Sequence, residues 1–490
     1  MFSRRKFIQA SAIFAAMPAK IVLAGKQLLG NKFQVPALYT GTRTGNNVYF
    51  DLQIQSGLSQ ILVNKKTPTL GINQNFLGVT LRASKGDKVH IRVKNTIDKT
   101  STLHWHGMKL PAKSDGGPHQ AIQPNKTWET QFEVIQEAAT LWYHSHQLHE
   151  TAQQVYQGLA GMFILDDDKA SALNLPSEYG VDDVPVIIQD KDFQQNGALR
   201  YLGGMMDSMM GKKGGTVLVN GVIRPVLKAK KSLLRLRLLN GSNARTYFLA
   251  FNDNRVFYVI GSDGGLLEQT QKTNRLRLAP AERAEILVDV SDGKMPILQH
   301  KSGKEKSGMR GMGMMRSMMS GNDNDLNIMQ IDGSNAQKSN REIPKKLVTH
   351  DSPSMEQVSR QRLMRLEIKM GMGMMSGGDV FSINGKSMNA NRIDEVVKAG
   401  SVEVWRIENA SMMAHPFHIH NVQFKIVGKS ESAISTHELG FKDVVLVNPH
   451  ERVDVIMKFP EFRDKDTPYM YHCHILEHED RGMMGQFVVV

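Results

Sequence analysis

The chain has 490 residues, of which 41% are hydrophobic and 7% aromatic, and a formal net charge of +13. That length exceeds what one core usually serves, so two to four domains are expected. The positive charge is spread without a basic patch interleaved with aromatics, which argues against nucleic acid. The single cysteine excludes an internal disulfide framework, and no apolar run is long enough for a stable membrane anchor.

In chain order, Ser3-Arg4-Arg5-Lys6-Phe7-Ile8 followed by the apolar run 8–17 reads as a twin-arginine signal peptide over residues 1–24. The expected location is therefore the periplasm, reached by the twin-arginine route. Downstream, one pattern occurs three times. Residues 86–95, 231–240 and 400–409 each alternate apolar and polar side chains and end in Asn, as a half-buried strand entering a turn does. Nine and eleven residues after Asn95 stand His104 and His106; after Asn409, His418 and His420; after Asn240, Leu249 and Phe251. Three domains of one plan are expected, at 27–168, 178–300 and 340–490, with a Met-rich linker over 301–340. The middle one reads as a spacer that keeps the plan without the histidines. Short Val/Ile/Leu runs broken by Gly, Asn and Asp point to an all-β fold of β-sandwiches.

A second parallel links Trp142-Tyr143-His144-Ser145-His146 to Met470-Tyr471-His472-Cys473-His474. Period two places both rings of a His-x-His pair on one strand face and the intervening residue on the other. Packing alone does not account for four such pairs in matched positions, because buried imidazoles need partners. Facing domains bring eight imidazoles together, enough for three copper ions. His415, Cys473, His478 and Met483 form a separate set of two imidazoles, a thiolate and a thioether, the soft donors of a blue-copper electron-transfer site. The Cys-x-x-Cys spacing of structural zinc is absent.

The motifs His-Trp-His-Gly (104–107), Trp-Tyr-His-Ser-His (142–146), His-Pro-Phe-His-Ile-His (415–420) and the run from His472 to Met484 resemble those of the multicopper oxidases. The likeness extends to the bacterial periplasmic, laccase-like cuprous oxidases of copper tolerance. The resemblance implies three consecutive cupredoxin-like domains and four copper ions. It implies His104 and His418 at type 2 copper, and His106, His144 and His474 at one type 3 ion. His146, His420 and His472 would hold the other type 3 ion, and His415, Cys473, His478 and Met483 the type 1 copper. It also implies that Asp115 and Glu479 are acids of the oxygen site, with Glu477 and Asp480 as competitors of the latter.

The expected partners are dioxygen and Cu(I) or another small reductant, with the protein a monomer. Methionine is abundant, at 29 residues, and clusters among Gly, Ser, Arg and Lys, a poor composition for a core. Thioethers suit Cu(I), so Met372, Met374, Met375, Met412 and Met413 are candidate substrate-copper donors, and the clusters at 205–210 and 308–319 are further capture sites. One departure stands out: the related cuprous oxidases carry an acid where this chain has Ser411. Phenols and Fe(II) are the alternative substrates. A non-catalytic copper-sequestering protein has no need for eight paired histidines, and a copper nitrite reductase divides its catalytic copper between subunits.

Overall fold

The computed structural model describes residues 30–302, 324–369 and 380–490. The expected signal segment, the methionine cluster at 308–319, and Met372, Met374 and Met375 lie outside them. The all-β expectation holds: the strands form three consecutive cupredoxin-like sandwiches, each closed over its own apolar core. The repeated pattern ends in three strands, Lys88–Asn95, Leu233–Asn240 and Val402–Asn409.

The terminal Asn has the same physical task in each sandwich. Asn95 Nδ2 donates to the carbonyls of Lys99 and Ile122, and its Oδ1 accepts from the Ile97 N–H. Asn240 donates to Arg245 and Leu278 and accepts from Ser242. Asn409 donates to Met413, Val447 and Asn448 and accepts from Ser411. All three are buried. Each side chain closes a turn and ties it to the following loop, as a short amide does well. The fixed offset from Asn to the next strand follows from that tie.

Two assignments change. Within the stretch read as a linker, Leu326–Asp332 is a strand of the second sandwich, antiparallel to Ile297–His300 and parallel to Pro225–Lys228. Its Ile328, Met329 and Ile331 are fully buried in that core; flanking Asp and Asn residues masked the run. Asn31–Lys32, read as the start of the first domain, pairs with Pro225 and Val226 of the second, and Phe33 enters the second core. A further apolar cluster joins all three sandwiches, with Trp142 and Val155 from the first, Ile187 and Leu239 from the second, and Val444 and Leu476 from the third. This junction presses the histidine-bearing sheets of the first and third sandwiches together.

Candidate metal centre

Strand register assembles the histidines. His104–His106 pairs with Ala139–His144 so that His104 lies opposite His144. His415–Ile419 pairs with Asp464–Cys473 so that His418 lies opposite His472. The two sheets then meet face to face. The His104 ring stacks on His420 at 3.9 Å between centroids, and His106 stacks on His418 at 3.7 Å. All eight imidazoles are buried, with at most 1% exposure.

Hydrogen bonds select which nitrogen of each ring is left to bind metal. His104 Nδ1 donates to the Asp115 carbonyl at 2.8 Å and His418 Nδ1 to the Asp443 carbonyl at 2.7 Å. Both Nε2 atoms are buried without a hydrogen-bond partner among the described residues. His420 Nδ1 donates to Asp115 Oδ2 at 2.8 Å, while Nδ1 of His146 and of His472 face the Glu479 carboxylate at 3.4 and 3.1 Å. The Nε2 atoms of this trio converge, His472 lying 3.2 Å from His146 and 3.3 Å from His420. Three lone pairs held so close repel one another unless a cation lies between them.

His106 is turned the other way. Its Nε2 donates to Asp443 Oδ1 at 3.0 Å, which leaves Nδ1 facing His144 Nε2 at 3.4 Å. The His474 ring lies 5.1 Å from His106 and 5.4 Å from His144, and both of its nitrogens lack a hydrogen-bond partner among the described residues. Burial, reinforced by neighbouring imidazoles, holds His104, His106, His418, His420 and His474 well below the usual histidine range. His144 is pushed down to about 3 by the same causes. Neutral imidazole is the form that ligates metal.

On the opposite strand face, His415 Nδ1 and His478 Nδ1 lie 3.3 and 3.7 Å from Cys473 Sγ. Their Nε2 atoms are occupied, His415 bonding Ser411 Oγ at 2.8 Å and His478 donating to the Met209 carbonyl at 2.9 Å. Met483 is buried, its carbonyl accepting from the Cys473 N–H at 3.0 Å. Burial pushes the Cys473 thiol up, so a bound cation is needed to hold it as thiolate. The donor chemistry of both sets fits copper.

The competing acids separate by their partners. Asp480 accepts from the N–H groups of Thr151 and Ala152, both at 2.9 Å, and so caps the helix Thr151–Gln157. Glu477 accepts from Asn243 at 2.8 Å. Glu479 alone of the three faces the histidines. Asp115 reaches both His104 and His420, and burial raises its carboxyl. The sequence reading missed Asp443, which is pushed up to about 6 by burial while Arg283 opposes the shift. Arg283 comes from the second sandwich and grips both Asp443 oxygens, at 2.7 and 2.5 Å. The middle sandwich is therefore more than a spacer. The one available signal was a charged Lys442-Asp443 pair opening the apolar run 444–447.

Of the methionine candidates, Met412 is exposed and Met413 half-buried, both just before His415. Most other histidines bond protein oxygen: His149 donates to the Asp480 carbonyl, His350 to that of Leu266, and His119 pairs with Gln486. His450 instead faces a thioether.

Residues 53–170 and 350–490 each match a family described as multicopper oxidase, and these stretches carry all four His-x-His pairs. The chain is 40% identical over 455 residues to multicopper oxidase mco of Staphylococcus haemolyticus, covering 91% of this chain and 90% of that protein. The chain belongs to the multicopper oxidase family. This multicopper oxidase is also 34% identical over 489 residues to cell division protein FtsP of Xenorhabdus nematophila, covering 99% and 98% of the two chains. Its structure resembles a laccase from Pediococcus acidilactici, with a TM-score of 0.83, 34% identity and 94% of each chain covered.

Proposed function

We propose that this multicopper oxidase couples one-electron oxidation of Cu(I) to reduction of dioxygen to water, as part of copper detoxification in the periplasm. The observation that carries the reading is two buried donor sets on opposite faces of one strand. Cys473 belongs to the thiolate set, and its neighbours His472 and His474 to the eight-imidazole set. Copper bound at these sets, one ion at the thiolate and three among the imidazoles, supplies storage for single electrons. The balance is four Cu(I), one dioxygen and four protons giving four Cu(II) and two waters.

The chain's own residues do the rest. The backbone of Cys473 is the covalent link between the sets. Asp115 holds the Nδ1–H edge of His420, the Cys473 carbonyl takes that of His472, and the Glu479 carboxylate faces both His146 and His472, which aims the opposite nitrogens inward. Both carboxyls are placed to pass protons at those edges. Burial excludes water from the oxygen site.

Cu(I) is favoured as reductant by the methionine clusters and by exposed Met412 near the thiolate set. The monomeric state and the twin-arginine export of residues 1–24 belong to the same proposal. Among the described residues no helix is long and apolar enough to cross a membrane. Oxygen uptake by the copper-loaded protein, measured in turn with Cu(I), Fe(II) and a phenol, tests the reading. Uptake with Cu(I) at four ions per dioxygen supports it. No uptake with any donor makes the protein a copper store, and uptake with the phenol alone makes it a laccase. Arg4→Lys/Arg5→Lys should retain the enzyme in the cytoplasm, read by fractionation.

A further inference from the structure

We propose that Arg481 and Phe381 raise the reduction potential of the copper held at the thiolate set, an inference that rests on copper binding there. The fully buried Phe381 ring lies against His478, with centroids 4.4 Å apart and planes inclined by 26°. The backbone fixes its place. Phe381 lies opposite Ile368 in the strand ladder, and its carbonyl accepts from Ser387 Oγ at 2.6 Å. The guanidinium of Arg481 lies over the same ring, 5.2 Å from its centroid. Arg481 directly follows the helix Leu476–Asp480, which carries His478. Ring and cation are thus gathered at one imidazole of the set.

Arg481 is held without being neutralised. Its Nη1 donates to Met209 Sδ at 3.4 Å, and the Met209 carbonyl is the acceptor of His478 Nε2. Among the described residues it forms no ion pair with a carboxylate, whereas Arg237, Arg283 and Arg362 each grip one. The neighbouring Asp480 carboxylate is taken by the N–H groups of Thr151 and Ala152. A thioether and a benzene ring therefore fix the position of the charge and leave it uncancelled. The oxidised form of a copper centre carries one more positive charge than the reduced form, so a fixed cation nearby opposes oxidation. An apolar ring in place of water acts in the same direction, because water favours the more charged form. Both effects make the thiolate centre a stronger acceptor of the electron that an outside donor supplies.

Redox titration of the copper-loaded enzyme, followed by its blue absorption, tests this role. Arg481→Gln should shift the balance towards the oxidised centre by about threefold. Arg481→Glu changes the charge twice as far and should shift it by about tenfold, which is about 59 mV for one electron. Both shifts should shrink in concentrated salt, where exposed charges are screened within about 3 Å. Phe381→Leu keeps the position apolar but removes the plate, so it should lower the potential. In that background Arg481→Gln should add nothing further, because the cation is already released. Equal shifts for Gln and Glu, shifts that salt leaves unchanged, or fully additive effects of the two sites make the contacts structural only and overturn the role. If the wild-type protein gains no blue absorption on copper loading, the copper assignment of the thiolate set falls instead, and this role with it.

Discussion

Lys191 is a fully buried amine without a hydrogen-bond partner among the described residues, its Nζ 4.1 Å from the centroid of the Tyr156 ring. Burial pushes it from 10.5 down to about 7. That fall corresponds to about 5 kcal/mol against the charged form. The sign follows from proton counts. Between about 7 and 10.5 the unfolded chain binds more protons at this site than the folded one, so stability rises with pH across that window. Lys191→Met, similar in volume and without charge, should stabilise the enzyme near pH 7 by about 4 kcal/mol, and the advantage should shrink to about 1 kcal/mol by about pH 9.5. Urea unfolding of both proteins at the two pH values measures this. A destabilised Lys191→Met, or an advantage that does not shrink with pH, refutes the reasoning.

Cys473→Ser should abolish the blue absorption and the oxidase activity while copper still binds at the eight imidazoles, checked by optical and EPR spectra with metal analysis. Glu479→Gln should slow reoxidation of the reduced enzyme by oxygen about 10²–10³-fold with reduction of the thiolate centre unaffected, read by stopped flow; Asp480→Asn, which touches a helix N-terminus, should leave reoxidation near normal. Asn409→Ala and Asn240→Ala should each cost about 2–4 kcal/mol through lost buried hydrogen bonds, seen in denaturant unfolding. Only Asn409→Ala should also alter the blue spectrum, because its amide holds the loops around His415.

The three-part plan was legible because a short periodicity and a fixed count from Asn95, Asn240 and Asn409 repeat locally. The histidine pairs were legible for the same reason, since alternation along a strand decides the face. Partners distant in sequence were not. Arg283 and Asp443 are 160 positions apart, and nothing in either neighbourhood announces the other. Three nearby carboxyls, Glu477, Glu479 and Asp480, could be ranked only once Asn243 and the 151–157 helix were in place. Leu326–Asp332 escaped notice because its buried run is short and bordered by turn-forming residues.

The eight-imidazole cluster also imposes an order of events on a newly made chain. Each of its three imidazole groups draws from both ends of the fold, and His146 and His472 are 326 positions apart. No nascent fragment can hold a complete group, and closing so long a loop is slow. The donors of the thiolate set all lie within 415–483, and only the orientation of His478, bonded to the Met209 carbonyl, reaches beyond the third sandwich. Metal uptake among the imidazoles therefore reports that the whole chain has folded. Metal bound there holds the seam between the outer sandwiches closed, because binding energy at that place is also folding energy.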